Sequence, residues 1–158
     1  MPKKQPQRPR SSAFTLVEIM VTVVILGFLI SVAVPAFSRL RAASQNNRLI
    51  SDIRTFSQAF ESYSAANGNW PASAAVGVLP TGMTGEFRNS DWLIDQASVG
   101  GRWAWDVNAN GIRAAIALVG VTVPDSQMLD VDAKIDDGNL STGNFRKVSD
   151  RFVWIMER

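Results

Sequence analysis

The first part of the chain is dominated by one long apolar run. Between Ile19 and Ser38 no residue is charged, and most are Val, Ile, Leu, Phe or Ala. Because a helix rises about 1.5 Å per residue, this run can cross a hydrocarbon core of about 30 Å. The pattern therefore predicts a transmembrane helix over residues 14–37. Two alternatives stay open: a buried helix of a soluble protein, although such a helix is usually amphipathic, and a secretory signal cleaved within residues 31–35.

A second, amphipathic helical pattern follows the run and is predicted over residues 38–66. Asn67 and Gly68 can adopt the left-handed conformation that ends a helix, and Pro71 prevents the helix from resuming. We therefore expect one helix from about Phe14 to Ala66, with its first half in lipid and its second half against a globular domain. The residues of its apolar stripe recur mostly at intervals of three, four or seven: Leu40, Ala43, Ile50, Ile53, Phe56, Phe60 and Tyr63.

Residues 67–158 are expected to form an exported globular domain that contains antiparallel strands. Alternating apolar positions from Trp103 to Val107 and from Ile112 to Leu118 flank Asn110-Gly111, which is typical of a β-hairpin. A further strand is predicted over Arg151–Met156, and a helix is predicted to start at Pro124-Asp125 and to present Met128, Val131 and Ile135 on one side. Residues 72–101 are predicted to be a variable loop with Trp92-Leu93-Ile94 as its apolar anchor. The fold class is α+β, a long helix packed on a small antiparallel sheet.

Charge gives the orientation of the chain and excludes several functions. Lys3, Lys4, Arg8 and Arg10 precede the run with no acid among them, so the positive-inside rule leaves residues 1–13 in the cytoplasm and exports the rest. The remaining residues carry more acids than bases, which gives no basic stripe for nucleic acid. The chain has no cysteine and no histidine, and no nucleophile–base or phosphate-binding motif is present. We therefore expect a protein that is not an enzyme.

Glu18 is a single acid inside the apolar entry of the predicted membrane helix. A charged side chain there costs up to about 2.5–3.5 kcal/mol at the centre of the bilayer and less near the interface. One interpretation is that the carboxylate reaches back to the headgroups, although the Glu side chain is short. The other is that a neighbouring chain in a packed bundle supplies a positive partner.

The segment from Ala13 to Ile19, read as Ala-Phe-Thr-Leu-Val-Glu-Ile after a basic leader, resembles the processing signal of type IV pilins and type II secretion pseudopilins. The resemblance implies that a prepilin peptidase cleaves between Ala13 and Phe14 and methylates the new amine of Phe14. It implies that Glu18 pairs with the N-terminus of a neighbouring subunit during filament assembly. One departure is Ala13, because the family almost always has Gly at this position.

Further residues extend the resemblance and its implications. Gly27 and Pro35 both weaken a helix, and in the family they bracket a stretch that can lose helicity in the filament. Asn67-Gly68-Asn69-Trp70-Pro71 is similar to the turn that ends this helix in many pseudopilins. The resemblance implies a single-pass protein of the bacterial inner membrane that is extracted into a filament with other pilin or pseudopilin subunits.

Two acid-rich stretches are candidates for a calcium site. Asp106 to Gly111 matches the opening of a calcium loop, but Ala117 stands where an EF-hand needs Glu, so a hairpin turn is preferred. The second stretch is the better candidate, since some pseudopilins bind calcium near their C-terminal loop, although helix capping and solvated acids are the favoured interpretation. It contains Asp125, Asp130, Asp132, Asp136, Asp137 and Asn139. The calcium ligands would be Asp130, Asp132, Asp136, Asp137 and Asn139, and no other cofactor is expected.

The sequence thus predicts a structural subunit of a pilus or pseudopilus, with prepilin peptidase, other subunits and membrane lipid as partners. The absence of cysteine favours a pseudopilin or minor pilin, because type IVa major pilins usually carry a C-terminal disulfide. The presence of Glu18 argues for a subunit with others above it. The alternative is a single-pass, membrane-anchored binding protein of the envelope that forms no filament.

Overall fold

The computed structural model describes residues 15–87 and 96–158 of the chain, so Ala13, Phe14 and Trp92-Leu93-Ile94 lie outside the described residues. The chain divides into two compact units, one up to Leu40 and one from Arg41 to Arg158. The elements, in chain order, are α1 (Leu16–Asn67), β1 (Arg102–Ala109), β2 (Ile112–Val119), α2 (Asp125–Ile135), β3 (Phe145–Val148) and β4 (Arg151–Glu157).

Helix α1 confirms the single long helix and ends within one residue of the predicted position. Asn67 Nδ2 donates to the carbonyl of Tyr63 at 2.9 Å, and the Gly68 amide donates to the carbonyl of Ser64 at 2.8 Å. Gly68 has a φ of +74°, which glycine adopts without a steric penalty. The helix therefore ends where the Asn67 side chain and the Gly68 amide satisfy two of its last carbonyl groups and the Gly68 backbone turns away.

The first unit contains the apolar part of α1. Among the described residues, α1 is the one helix long and apolar enough to cross a membrane, with a mean hydropathy of 2.6 over its most apolar window. None of that window is buried inside the chain. A core helix of a soluble protein would be mostly buried, so this alternative loses its support, whereas a signal sequence would pass the same test.

The second unit packs the distal half of α1 onto one face of the sheet. The strands run in the order β1-β2-β4-β3, and every neighbouring pair is antiparallel. Phe60 stacks on Trp105 with ring centroids 3.7 Å apart, and Phe56 meets Trp103 edge-on at 4.8 Å. These aromatic contacts, worth about 0.5–1.5 kcal/mol each beyond the buried area, fix the helix on the sheet.

The start of the predicted apolar stripe is wrong. Leu40 is 70% exposed and Ala43 is also exposed, whereas Asn46 and Leu49 are buried. The buried face therefore begins at Asn46, next to the half-buried Gln45, whose carbonyl accepts the Ser98 hydroxyl at 2.9 Å. Asn46 is satisfied there by Gln127 of α2, whose Nε2 donates to Asn46 Oδ1 at 2.9 Å.

The predicted hairpin is confirmed as β1 and β2. Ala109 pairs with Ile112, which leaves Asn110 (φ +53°) and Gly111 (φ +74°) as a two-residue turn. Positive φ at both positions matches the turn whose twist suits a hairpin. The strand over Arg151–Met156 is likewise confirmed as β4.

Strand β3 was not among the individually predicted strands, because Arg146 and Lys147 interrupt its apolar pattern. The loop over residues 72–101 has no helix or strand in its described parts, apart from a bridge between Gln96 and Arg102. The predicted apolar anchor of this loop, Trp92-Leu93-Ile94, lies outside the described residues. Among those described, Met83 (0% exposed), Phe87 (9%) and Val99 (1%) are buried in the core.

Candidate assembly segment and acidic cluster

Glu18 lies in the first turn of α1. The Glu18 amide donates to the carbonyl of Thr15 at 3.1 Å and to Thr15 Oγ1 at 3.3 Å. A carboxylate in the first turn is favoured by the helix dipole. Within residues 15–87 and 96–158, no cation pairs with this carboxylate. Glu18 is thus an acid among exposed apolar side chains, and no counter-charge lies beside it in the part of the chain that the structure describes.

The apolar side chains around Glu18 are all exposed. From Leu16 to Leu40, every large apolar side chain is at least half exposed, with values from 50% at Leu26 to 82% at Leu16. A continuous apolar surface of this size marks contact with lipid or with other chains. The residues that the structure describes therefore leave this part of α1 without a packing partner.

Gly27 and Pro35 both lie inside a continuous helix. A Cβ at Gly27 would meet no atom within 4 Å, so packing within this chain does not require glycine there. Pro35 lacks an amide hydrogen, and the nearby hydroxyl of Ser38 donates to the Pro35 carbonyl at 2.9 Å. The local loss of helicity that the family resemblance implies for a filament stays a prediction.

The cleavage position between Ala13 and Phe14 lies outside the described residues. Its processing therefore stays a prediction that rests on the sequence motif. Thr15, the first described residue, contributes a side-chain and a backbone acceptor to the first turn of α1.

The acidic stretch after α2 brings three carboxylates together. One oxygen from each of Asp132, Asp136 and Asp137 lies within 4.8 Å of the others. Asp130 is exposed on α2 and is not part of this group. Asn139 Oδ1 accepts the Ser141 amide at 3.1 Å and so shapes the loop beside the group.

Asp132 is fully buried, and neither of its carboxylate oxygens makes a hydrogen bond within the described chain. Burial first, and then the carboxylates of Asp137 and Asp136, raise the pKa of Asp132, while the weakest influence, the Asn139 backbone amide, lowers it. A buried carboxylate without a partner is costly. Asp132 is therefore the member of the group that the loop compensates least, through the Asn139 amide alone.

Asp136 and Asp137 do have local partners. Asp136 Oδ2 accepts the amides of Asn144 and of Phe145, the latter at 2.9 Å. Asp137 accepts the Asn139 amide at 2.9 Å and the Thr142 hydroxyl at 2.6 Å, and the Thr142 hydrogen bond is the main reason why its pKa is lowered. These two residues thus hold the loop between α2 and β3.

Asp125 and Asp106, two further acids of the candidate calcium stretches, each form an ion pair. Asp125 pairs with Lys147 at 2.6 Å, where Lys147 also lies over the Phe152 ring. Asp106 pairs with Arg151 at 2.8 Å, so the stretch from Asp106 to Gly111 is a hairpin, as preferred from the sequence.

A cation-lined groove on the second unit was missed by the sequence reasoning. It has a volume of about 380 Å³ and is lined by Asn47, Ile50, Ser51 and Arg54 of α1 and by Lys134 of α2. Lys134 Nζ donates to Asn47 Oδ1 at 3.3 Å. Exposed polar residues at intervals of seven on α1 were the available signal, but the position of α2 could not be read from the sequence.

The comparisons with known proteins agree with the motif and the fold. Residues 8–34 match the family described as "Prokaryotic N-terminal methylation motif". The chain is 36% identical over 67 residues to type II secretion system core protein G of Aeromonas hydrophila, covering 42% of this chain and 47% of that protein. It is 32% identical over 77 residues to the type IV major pilin protein PilE1 of Neisseria gonorrhoeae, covering 47% of each. The chain thus spans about half the length of these relatives.

A solved structure extends the likeness to the fold. The major type IV pilin PilA1 from Clostridium difficile matches with a TM-score of 0.53 and 18% sequence identity, over 77% of this chain and 99% of that one. At this identity the likeness concerns the fold alone. It confirms the predicted arrangement of a long N-terminal helix on an antiparallel sheet. The chain therefore carries the prokaryotic N-terminal methylation motif on the fold of a type IV pilin, and its resemblance to type IV pilins and type II secretion pseudopilins is confirmed.

Proposed function

We propose that this chain is a structural subunit, not an enzyme, of a membrane-rooted pilus or pseudopilus, and specifically a type II secretion pseudopilin that acts in protein export. The observation that carries the proposal is the exposed apolar part of α1, with Glu18 in its first turn making no ion pair among the described residues, within the residues that match the methylation motif. Such a helix needs other chains or lipid around it, and its acid needs a cation from outside the chain.

The proposed route starts in the bacterial inner membrane. The leader, residues 1–13, stays cytoplasmic, α1 crosses the bilayer once, and the residues after it are exported. A prepilin peptidase cleaves between Ala13 and Phe14 and methylates Phe14. The processed chain then leaves the lipid and joins other pilin or pseudopilin subunits in a filament.

Glu18 sets the position of each incoming subunit. In lipid its carboxylate has no partner, whereas in the filament it meets the methylated amine of Phe14 on a neighbour. An ion pair is stronger in a medium of low dielectric constant, so this contact is favoured inside the bundle. Subunits whose amine and acid do not meet leave a buried charge, which disfavours other registers.

The pseudopilin assignment is supported by two observations. The chain has no cysteine for the C-terminal disulfide that major pilins usually carry. Relatives named type II secretion system core protein G are also found in Klebsiella pneumoniae, at 34% identity over 64 residues. The second candidate function is an anchored envelope binding protein that forms no filament. It also requires the membrane-spanning part of α1, but it gives Glu18 no role.

The substitution Glu18→Ala separates the two functions. In the filament mechanism, this variant inserts into the membrane normally but no longer enters sheared filaments. Ser31→Ala removes another exposed polar group of the same helix and serves as the matched control, with incorporation unchanged. Normal assembly of Glu18→Ala would show that the filament mechanism is wrong.

We further propose that Asp132, Asp136 and Asp137 hold a calcium ion, with the Asn139 loop beside them. Calcium takes six to eight oxygen ligands, often carboxylates with carbonyls and water. The fit is supported by the buried, unpartnered carboxylate of Asp132 and by the oxygens grouped within 4.8 Å. Asp130 is not proposed as a calcium ligand, because it lies outside this group of carboxylates. The ion would neutralise Asp132 and tie the end of α2 to the loop before β3.

A further inference from the structure

The distal half of α1 carries an exposed polar row that its packing does not explain. Asn47, Arg54 and Glu61 are all exposed and recur at intervals of seven residues. Seven residues make about two turns, so these side chains lie within about 20° of one face of the helix and about 10.5 Å apart in succession. A base and an acid therefore follow each other along one line of the surface.

The basic member of this row lies in a groove. Arg54 lines the groove of about 380 Å³ together with Lys134 of α2, and Ile50 forms its buried side. Within the described chain, neither Arg54 nor Lys134 is paired with a carboxylate. Two cations that share a concave surface attract a carboxylate and repel another cation.

The acidic member of the row is free to supply that carboxylate. In the described helix, the acids are Glu18, Asp52 and Glu61. Asp52 is half-buried beside Arg48, whereas Glu61 is exposed and makes no ion pair in the described chain. Arg54 and Glu61 of one chain are not paired with each other, so each is available to a second copy.

We propose that the groove of one subunit binds Glu61 of a second copy that is displaced by about two helical turns along α1. Each copy then offers Glu61 to one neighbour and its Arg54–Lys134 groove to another. Such a head-to-tail contact does not close on itself and generates a filament. This inference rests on the proposed function and adds a specific contact outside the membrane segment.

Charge exchange in the full chain tests the contact. Arg54→Glu and Glu61→Arg each lower the amount of sheared filament about tenfold or more, because like charges then face each other across the interface. The combination of both substitutions in one chain restores assembly, since the pair is recreated with reversed sign. Asp130→Arg reverses an exposed acid of α2 outside the row and leaves assembly unchanged.

The outcomes separate this contact from the filament itself. If both single variants assemble like the original chain, or if the double variant does not recover while its melting temperature shows a folded protein, the contact is wrong and the filament stands. If the unaltered chain forms no filament under conditions where Glu18→Ala and Ser31→Ala behave alike, the proposed function and the contact both fail.

The lack of cysteine allows a second, direct measurement. A copy with Arg54→Cys is co-expressed with a copy that carries Glu61→Cys, and a short thiol-reactive crosslinker is added, because an Arg–Glu pair keeps its Cα atoms further apart than a disulfide allows. Crosslinked dimers are expected at a several-fold higher yield than with Ser62→Cys, which lies at the same level but about 100° around the helix. Equal yields for the two pairs would overturn the proposed register.

Discussion

At the scale of single residues, substitution of Asp132 distinguishes a role in stabilising the fold from a role in binding a calcium ion. Its carboxylate is fully buried, and the one favourable influence on its charge, the Asn139 amide, is weak, so replacement by Asn loses little contact energy. Without a bound ion, replacing Asp132 by the neutral Asn would therefore stabilise the folded chain, because the cost of burying a charge disappears. A structure with calcium would lose a ligand.

The substitution Asp132→Asn has opposite expected effects with and without calcium. Without calcium the variant melts at the same temperature as the original chain or higher. With calcium at about 100 times its dissociation constant, the original chain gains about 2.7 kcal/mol, and the variant gains far less. Thermal melts with calcium or chelator measure this, and Asp130→Asn is the control with an unchanged calcium response. The absence of any calcium-dependent shift in the original chain would refute the site.

Asp52 gives a pH dependence with a definite sign. Burial raises its pKa above the ordinary value of 3.8, and Arg48 partly opposes the rise. Below pH 3.8 the carboxyl is protonated in both the folded and the unfolded state, so burial costs little. As the pH rises through the raised pKa, the folded state must ionise a partly buried group, and stability is lost.

The variant Asp52→Asn removes this loss. Its free energy of unfolding, relative to the original chain, is expected to increase as the pH rises from below 3.8 through the raised pKa, and then to stay constant. Melts of the detergent-solubilised chain over a pH series measure the difference. Arg48→Gln should move the transition to a higher pH, and a relative stability that falls with pH would contradict the assignment.

At the scale of elements, the sequence predicts helices and strands whose hydrophobic positions recur regularly, and it does not predict those whose pattern is interrupted. The period of α1 and the alternation about Asn110-Gly111 predicted the long helix and the hairpin, because each element buries one face. Strand β3 is four residues long and carries two basic residues, so its pairing with β4 decides its structure. The burial of Met83 and Val99 likewise depends on long-range packing, which no local pattern shows.

The same limit applies to the candidate sites. The motif around Phe14 and Glu18 is local in sequence and could be identified directly. The grouping of Asp132 with Asp136 and Asp137 was anticipated as a cluster, but the exclusion of Asp130 follows from the face of α2 on which it lies. The Arg54–Lys134 groove joins residues 80 positions apart and needed the fold.

Glycine substitutions in the second unit test how the hairpin and its neighbouring loop are built. Gly111→Ala is expected to cost about 1 kcal/mol, because φ is +74° while the space around a Cβ is open. Gly101→Ala should cost more, since its Cβ would lie 2.5 Å from the Val119 carbonyl oxygen as well. Gly85→Ala, with open space and no positive φ, is the control with little effect. Thermal unfolding ranks the three, and a cost at Gly111 equal to that at Gly85 would contradict the turn.

At the scale of the whole molecule, the chain combines a unit that packs its own core with a helix segment that has none. The second unit buries its aromatic residues internally, whereas the apolar side chains up to Leu40 are exposed. Lipid and neighbouring helices are the two environments that can cover this segment. We propose that this segment moves from lipid into contact with neighbouring helices during assembly. Glu18 then fixes the position of the subunit relative to its neighbours.

Processing of the leader is the step on which the rest depends, because it creates the amine that Glu18 meets. The measurement that tests it most directly is intact mass spectrometry of the protein extracted from the membrane. We predict a chain that begins at N-methylated Phe14. A chain that retains residues 1–13, or one that begins after Pro35, would contradict the proposal that this protein is a processed filament subunit.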